Sequence, residues 1–145
     1  MNKGLQIERD SFAIINAGAD LSRFSEDEQI IARKLIHTTG DMEFAELTCI
    51  LSGAVAAGVA ALRRGVPIIC DVEMVRVGIT RRYLQQYGNQ VHCFISEPDV
   101  LTRASAENLT RAETAMLYAA ERYPEAIYAI GDRKSTRLNS SHRIR

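Results

Sequence analysis

His37 is the histidine best placed for proton chemistry among the three in the chain. It falls in the last turn of a predicted amphipathic helix, just before the exit Thr38-Thr39-Gly40. The negative end of the helix dipole favours the protonated imidazole, which can donate a proton near neutral pH. A histidine in a last helical turn often does no more than hydrogen-bond a carbonyl oxygen, so position alone leaves its role open.

A second group of candidate residues follows the apolar run 66–70, which we interpret as a buried parallel strand. Asp71 and Glu73 come after this strand, at the end where parallel α/β sheets bind ligands. Arg81, with Arg82 beside it, could clamp a carboxylate with two hydrogen bonds. The alternative is that Asp71 caps a short helix, Glu73 is solvated and the arginines are surface residues.

Thr110 and Arg111 form a third candidate, near the start of a predicted long helix over residues 105–123. Exposed amides at a helix start could help these two side chains to bind an anion. The alternative is that both are ordinary first-turn residues. His92 lies inside the predicted strand 91–95, and we interpret it as a core or interface histidine.

Several other kinds of site are not expected, because the sequence has no GxGxxG, P-loop or GxSxG motif and no cluster of His and Cys ligands. We therefore predict no nucleotide site, no serine nucleophile and no metal. Cys49, Cys70 and Cys93 are odd in number and lack CxxC spacing. They are interpreted as reduced, mostly buried thiols of a cytoplasmic protein.

The order of helical and strand patterns predicts an α/β fold. A capping box formed by Ser25 and Glu28 begins the helix that carries His37, and Gly40 ends it. The buried side of that helix is predicted to hold Ile30, Ile31, Leu35 and Ile36. Further helices are predicted over 5–19, 52–64, 71–77 and 105–123, and strands over 66–70, 91–95 and 126–130. Strands separated by helices predict a three-layer α/β/α arrangement around a parallel sheet.

The net charge of zero depends on the last 14 residues, 132–145. They hold five of the 18 basic and one of the 18 acidic residues, so residues 1–131 carry 13 basic and 17 acidic side chains, a net charge of −4. A mildly acidic domain argues against a nucleic-acid partner. The beginning of the chain has no apolar run, so we expect no signal peptide, and the apolar run 51–62 is too short to span a membrane.

Residues 132–142 resemble the in-frame translation of a common sequencing-library adapter, without a mismatch. We therefore expect residues 132–145 to be a non-native, disordered tail and exclude them from functional reasoning. The alternative is a basic tail that binds nucleic acid. The source DNA decides between them, since codons that differ from the adapter would rule the first interpretation out.

Seven segments, in order along the chain, resemble the precorrin-8X methylmutase family of cobalamin biosynthesis. The most specific are the segment around His37 and the motif Pro-Ile-x-Cys-Asp-x-x-Met-Val, which begins at Pro67. The resembling segments are 11–15, 19–24, 34–41, 65–75, 78–81, 110–111 and 129–131.

This resemblance implies an isomerase that moves a methyl group from carbon 11 to carbon 12 of the corrin macrocycle, without a cofactor. The substrate would be precorrin-8X or cobalt-precorrin-8. The family's catalytic histidine falls on His37. Because the substrate carries many carboxylates, Arg81 and Arg111 are the expected binding residues, with Thr80 and Thr110 as hydrogen-bonding neighbours. Asp71 and Glu73 complete the predicted binding set.

The resemblance also implies a homodimer built on a five-stranded parallel sheet, of which about three strands are predicted here. We therefore expect residues 1–131 to be the N-terminal part of one methylmutase domain and the chain as given to be an inactive fragment. Two other interpretations stay open. One is a tetrapyrrole-binding protein that catalyses nothing, and the other is a structural α/β domain.

Overall fold

The computed structural model describes residues 3–131. The tail predicted over 132–145 lies outside the described residues. The chain divides into two compact units after Ala57.

Residues 3–131 form eight α-helices, one short 3-10 helix and three strands. The helices are α1 (Lys3–Gly18), α2 (Glu26–Thr39), α3 (Phe44–Leu47), α4 (Ala54–Arg63), α5 (Glu73–Gly78), α6 (Arg81–Leu84), α7 (Pro98–Glu107) and α8 (Arg111–Arg122). The strands are β1 (Ile68–Cys70), β2 (Val91–Cys93) and β3 (Ile127–Ala129), and the 3-10 helix is Gln85–Tyr87. No helix among these residues is long and apolar enough to cross a membrane.

In the first unit, α1, α2 and α3 surround one apolar core. Ile15 of α1 and Ile36 of α2 lie at its centre, with 3% and 2% of their surfaces exposed. Burying such side chains stabilises the helix pair by about 2 kcal/mol each. The other buried members are Leu21, Phe24, Ala32 and Ala45.

Both ends of α2 follow their predicted signals. At the start, the capping box is present, and the Ser25 amide donates to the Glu28 carboxylate over 2.9 Å. At the end, Gly40 adopts the left-handed conformation with φ 71°, and its amide donates to the carbonyl oxygen of Ile36. The helix extends to Thr39, two residues beyond the prediction. His37 therefore lies in the last turn, as predicted.

The predicted buried face of α2 is largely wrong. Ile30, Ile31 and Leu35 are 61%, 40% and 37% exposed, and the residues that α2 buries are Ala32 and Ile36. These two lie four residues apart, so they share one narrow stripe of the helix. The stripe that is buried contains the small Ala32, whereas the sequence pattern favoured a stripe with more large apolar side chains.

The second unit contains the parallel sheet, in the order β2-β1-β3. The central strand β1 is buried along its whole length and pairs Ile69 with His92 on one side and with Tyr128 on the other. Ile69 packs against Met116 and Ala119 of α8. The predicted α/β class, its parallel sheet and its three strands are confirmed.

Asp71 does not cap a helix, contrary to one of the predicted alternatives. Val72 occupies the N-cap position of α5. Asp71 is fully buried, and its Oδ1 accepts a hydrogen bond from the Gly131 amide over 3.0 Å. The carboxylate thus ties the end of β1 to the residue that follows β3 and Ile130.

The long helix predicted over 105–123 is two helices, α7 and α8. Asn108 adopts the left-handed conformation at φ 53° and ends α7. Thr110 then occupies the N-cap position of α8, and its hydroxyl accepts a hydrogen bond from the Glu113 amide over 3.2 Å. Asn and Thr are common at helix ends, whereas the sequence interpretation placed both near the start of one long helix. The helix α6, the 3-10 helix and residues 98–104 of α7 were not predicted.

Replacing Gly65 by alanine is expected to destabilise the second unit far more than the same change at Gly88. Both glycines adopt the left-handed backbone conformation, with φ 74° and 73°, so an alanine at either position would be strained by about 1 kcal/mol. At Gly65 the added Cβ would lie 2.6 Å from the Tyr87 carbonyl oxygen, whereas at Gly88 it meets no atom within 4 Å. Urea denaturation should give Gly65→Ala a free energy of unfolding at least about 1 kcal/mol lower than that of Gly88→Ala. Equal losses of stability in the two variants would contradict the close approach of Gly65 to the Tyr87 carbonyl oxygen.

Candidate active site

His37 is held by a hydrogen bond between its own helix and α1. Its Nδ1 lies 2.7 Å from Oγ of Ser11, and the two side chains are both partly buried. Ser11 precedes the buried Ile15 by one helical turn, and His37 follows the buried Ile36. The packing that buries the two isoleucines therefore also brings the hydroxyl to the imidazole.

The imidazole ring also contacts an aromatic side chain of α1. Phe12 lies edge to face with it, with ring centroids 5.5 Å apart and planes at 75°. Nearby, Lys34 forms an ion pair with Glu8. This lysine is the main cause of the lowered pKa of the Glu8 carboxyl, and the charge of His37 lowers it further.

An open groove of about 440 Å³ lies along this histidine, within the first unit. Its walls are mostly apolar, while His37, Ser11 and Asp10 supply polar atoms. The remaining lining residues are Ile7, Ile14, Ile15, Ile36, Gly40 and Met42. Within residues 3–131, Nε2 of His37 has no hydrogen-bond partner, so a ligand in the groove could exchange a proton with it.

The two carboxylates predicted beyond β1 already have partners in the protein. Asp71 accepts from Gly131 and is fully buried, so a direct contact with a ligand would require this edge of the sheet to open. Glu73 pairs with Arg76 over 2.6 Å, and about half of its side chain remains exposed. Of the two, only Glu73 is accessible to a ligand.

The arginines predicted to bind substrate are both exposed in the second unit. Arg81 begins α6 after Thr80, and Arg111 begins α8 after Thr110. Neither guanidinium forms an ion pair within the described part of the chain. The Thr110 hydroxyl already caps α8, so Arg111 is more available than Thr110 to bind a ligand.

The cysteines differ from the prediction that they are mostly buried. Cys49 is exposed, Cys93 is partly buried and only Cys70 is buried. Burial raises the pKa of the Cys70 thiol to about 11, and it also raises the pKa of Cys93. These two thiols are therefore poor nucleophiles near neutral pH. Among residues 3–131, no group of three or more His, Cys, Asp or Glu side chains is placed to hold a metal.

His92 is placed as a packing residue in the second unit. Its ring stacks on Phe94 and Tyr123 with centroids 5.5 and 5.2 Å apart. Its Nε2 lies 3.2 Å from the side-chain oxygen of Gln90. These contacts agree with the interpretation of His92 as a core or interface histidine.

Sequence reasoning missed Ser11 as a functional candidate. A serine in the middle of an amphipathic helix carries no signal of its own. The helical period does place Ser11 on the same face of the helix as Ile15, one turn earlier. What the pattern could not supply was the partner, since residues 26 positions apart meet only through packing of the two helices.

These features define an α/β protein with a parallel sheet and a candidate proton-transfer site centred on one histidine. The sequence profile of the precorrin-8X methylmutase family matches residues 6–141. The chain belongs to the precorrin-8X methylmutase family, and the resemblance inferred from its motifs is confirmed.

Individual relatives agree with the family match. A cobalt-precorrin-8 methylmutase of Leptospira interrogans is 40% identical over 111 residues, which are 77% of this chain and 50% of the relative. A precorrin-8X methylmutase of a Sinorhizobium species is 40% identical over 129 residues, 89% of this chain and 61% of the relative. The chain thus spans about half to three fifths of the length of these curated relatives.

Solved structures show the same fold. The precorrin-8X methylmutase of Thermus thermophilus superposes with a TM-score of 0.84 at 35% identity, covering 96% of this chain and 68% of that one. A precorrin-8X methylmutase related protein gives a TM-score of 0.83 at 29% identity, covering 92% of this chain and 70% of that one.

Proposed function

We propose that the protein is an isomerase of cobalamin biosynthesis, which moves a methyl group from carbon 11 to carbon 12 of the corrin macrocycle. Precorrin-8X or cobalt-precorrin-8 is the substrate, since both occur in the names of relatives. The observation that carries this proposal is the imidazole of His37, fixed by Ser11 on the wall of an apolar groove. The catalytic histidine that the family resemblance implies also falls on His37.

The reaction needs proton chemistry and no electron carrier. The bond from the methyl group to carbon 11 breaks as the bond to carbon 12 forms, and the conjugated double bonds of the macrocycle shift. Product and substrate have the same atoms and the same number of electrons, so no redox cofactor is consumed. Protonated His37 donates through Nε2 to a macrocycle nitrogen during the shift and takes the proton back afterwards.

Arginines would hold the carboxylates of the substrate. Arg81 and Arg111 are the proposed binding residues, supported by their exposure and their lack of ion pairs within residues 3–131. Thr80 and Thr110 are proposed as their hydrogen-bonding neighbours. Glu73 stays in the proposed set because its carboxylate is accessible, while the burial of Asp71 favours a supporting role for it.

We also propose that the active protein is a cytoplasmic homodimer and that residues 132–145 are no part of its domain. The family resemblance supports the dimer, and the adapter-like reading of residues 132–142 supports the second statement. Because the family match reaches residue 141, the codons of the source gene are the deciding observation for the tail. Sedimentation equilibrium measures the oligomeric state.

Absorption spectroscopy with the purified substrate tests the proposed reaction. We would compare this chain with a chimaera that continues residue 131 with the remaining sequence of the Sinorhizobium relative. Methyl migration changes which macrocycle carbons are conjugated, so turnover of precorrin-8X by the chimaera should move the absorption bands to those of its product, hydrogenobyrinic acid. A saturable spectral change that never reaches the product spectrum would favour a tetrapyrrole-binding protein instead. No spectral change with either protein would contradict both functions.

A further inference from the structure

Ser11 is placed to decide which nitrogen of His37 exchanges a proton. Its Oγ lies 2.7 Å from Nδ1, within the range of a short hydrogen bond. Both residues sit beside the buried pair Ile15 and Ile36, and both helices are fixed by that core. The contact is therefore held by packing and does not depend on a mobile loop.

The chemistry of imidazole fixes the direction of this hydrogen bond when the ring is protonated. In the imidazolium form both ring nitrogens carry a hydrogen, so Nδ1–H of His37 must donate to Ser11 Oγ. When Nε2 releases its proton, keeping the hydrogen on Nδ1 preserves that bond. The lone pair is then left on Nε2, the nitrogen that has no partner within residues 3–131. The hydrogen bond of one ring nitrogen sets the state of the other.

We infer that Ser11 is a positioning residue, whose hydroxyl accepts from Nδ1–H of His37 and so makes Nε2 the atom that both gives and retakes the proton. This inference rests on the proposed function, because it assigns a direction to the proton transfer proposed there. It names a residue that touches the imidazole and not the reacting atoms.

The ring orientation has a second support. Phe12, the residue after Ser11, places its ring edge to face with the imidazole at 5.5 Å. Adjacent residues of α1 thus fix the imidazole at one nitrogen and along its ring. Without the hydroxyl, the neutral ring would return to the Nε2–H form favoured in water, and Nε2 would have no lone pair with which to retake the proton.

Nitrogen NMR of the chain as it exists tests this inference without any turnover. The neutral ring is observed at about pH 8, where an ordinary imidazole has lost its proton. His37→Gln identifies the His37 signals among the three histidines. We expect Nδ1–H to be the main tautomer in the unmodified chain and in Ser11→Thr, which keeps a hydroxyl. Ser11→Ala should show mainly Nε2–H.

A matched control is Asn16→Ala, which removes an exposed polar side chain from the same helix and should leave the tautomer unchanged. A hydroxyl that only joins the two helices would alter stability in Ser11→Ala and leave the tautomer as it was, and that result overturns the inference. Mainly Nε2–H in the unmodified chain overturns it too, even if Ser11→Ala fails to fold.

Turnover separates this inference from the proposed function. In the chimaera, Ser11→Ala should lower kcat about tenfold or more with KM within about twofold, since only proton transfer is impaired. An unchanged kcat beside a switched tautomer would overturn the catalytic role of Ser11. A switched tautomer in a protein that never moves the methyl group would overturn the proposed function and leave the Ser11–His37 geometry standing.

Discussion

Replacing His37 by alanine is expected to slow methyl migration by about 10²–10⁴-fold, the usual contribution of a positioned acid–base group. The substitution removes the proposed proton donor but leaves the proposed carboxylate-binding arginines and the other residues that line the groove unchanged, so the affinity for the substrate should change by less than about threefold. Single-turnover absorption kinetics with the chimaera, together with a binding titration, measures the two quantities separately.

His92→Gln is the matched control for this experiment. It removes another histidine, which stacks on Phe94 and Tyr123 in the second unit and does not line the groove of His37. Its turnover per folded molecule should stay within about twofold of the unmodified rate. An unchanged rate in His37→Ala would remove this residue from the mechanism.

Asp71→Ala is expected to destabilise the second unit by about 1.5–3 kcal/mol, because it removes a fully buried carboxyl group that accepts a hydrogen bond from a backbone amide. The Gly131 amide loses the acceptor that lies 3.0 Å away. Asp71→Asn keeps an acceptor oxygen at this position and should lose less. Urea denaturation followed by circular dichroism measures the free energy of unfolding for each variant.

Glu125→Ala is the control for removing an acidic side chain from the same unit, since Glu125 is exposed. Its effect should stay within about 0.5 kcal/mol. If Asp71→Ala were no worse than this control, the carboxylate would not be holding Gly131, and a role in ligand binding would again be open for it.

The strands were predictable because each is a short apolar run bounded by breakers. The run before Asp71 is wholly apolar, and β1 is correspondingly buried on every residue. The order β2-β1-β3 was not predictable, since it depends on which crossover returns to which side of the central strand. Strand identity is a local property, whereas strand order is a property of the packed unit.

Helix ends were predictable where a single residue type dictates the geometry. Gly40 ended α2 as expected, because glycine adopts the left-handed conformation without strain. Asn108 adopts the same conformation in the structure, but asparagine is also tolerated inside helices, so the break between α7 and α8 was missed. The buried stripe of α2 was also missed, because alanine is only weakly hydrophobic, although its small side chain lets two helices pack closely.

The candidate site was predicted in part. His37 was identified from its place at a helix end and from the family resemblance, and the structure sets it on the wall of a groove. The contact between Ser11 and His37 and the hydrogen bond from Gly131 to Asp71 were not predicted, because each joins residues far apart in the chain. Local patterns identify candidate residues, and tertiary packing decides their partners.

The central proposal is that His37 supports the movement of one methyl group within a corrin macrocycle when this sequence is part of a full-length methylmutase. Carbon-13 NMR of a substrate labelled in the methyl group on carbon 11 tests it most directly, using the chimaera and its His37→Ala variant. We predict that the labelled signal moves to the carbon 12 position with the chimaera and remains on carbon 11 with the variant over the same time. A label that stays on carbon 11 with both proteins, or moves equally fast with both, would contradict the account.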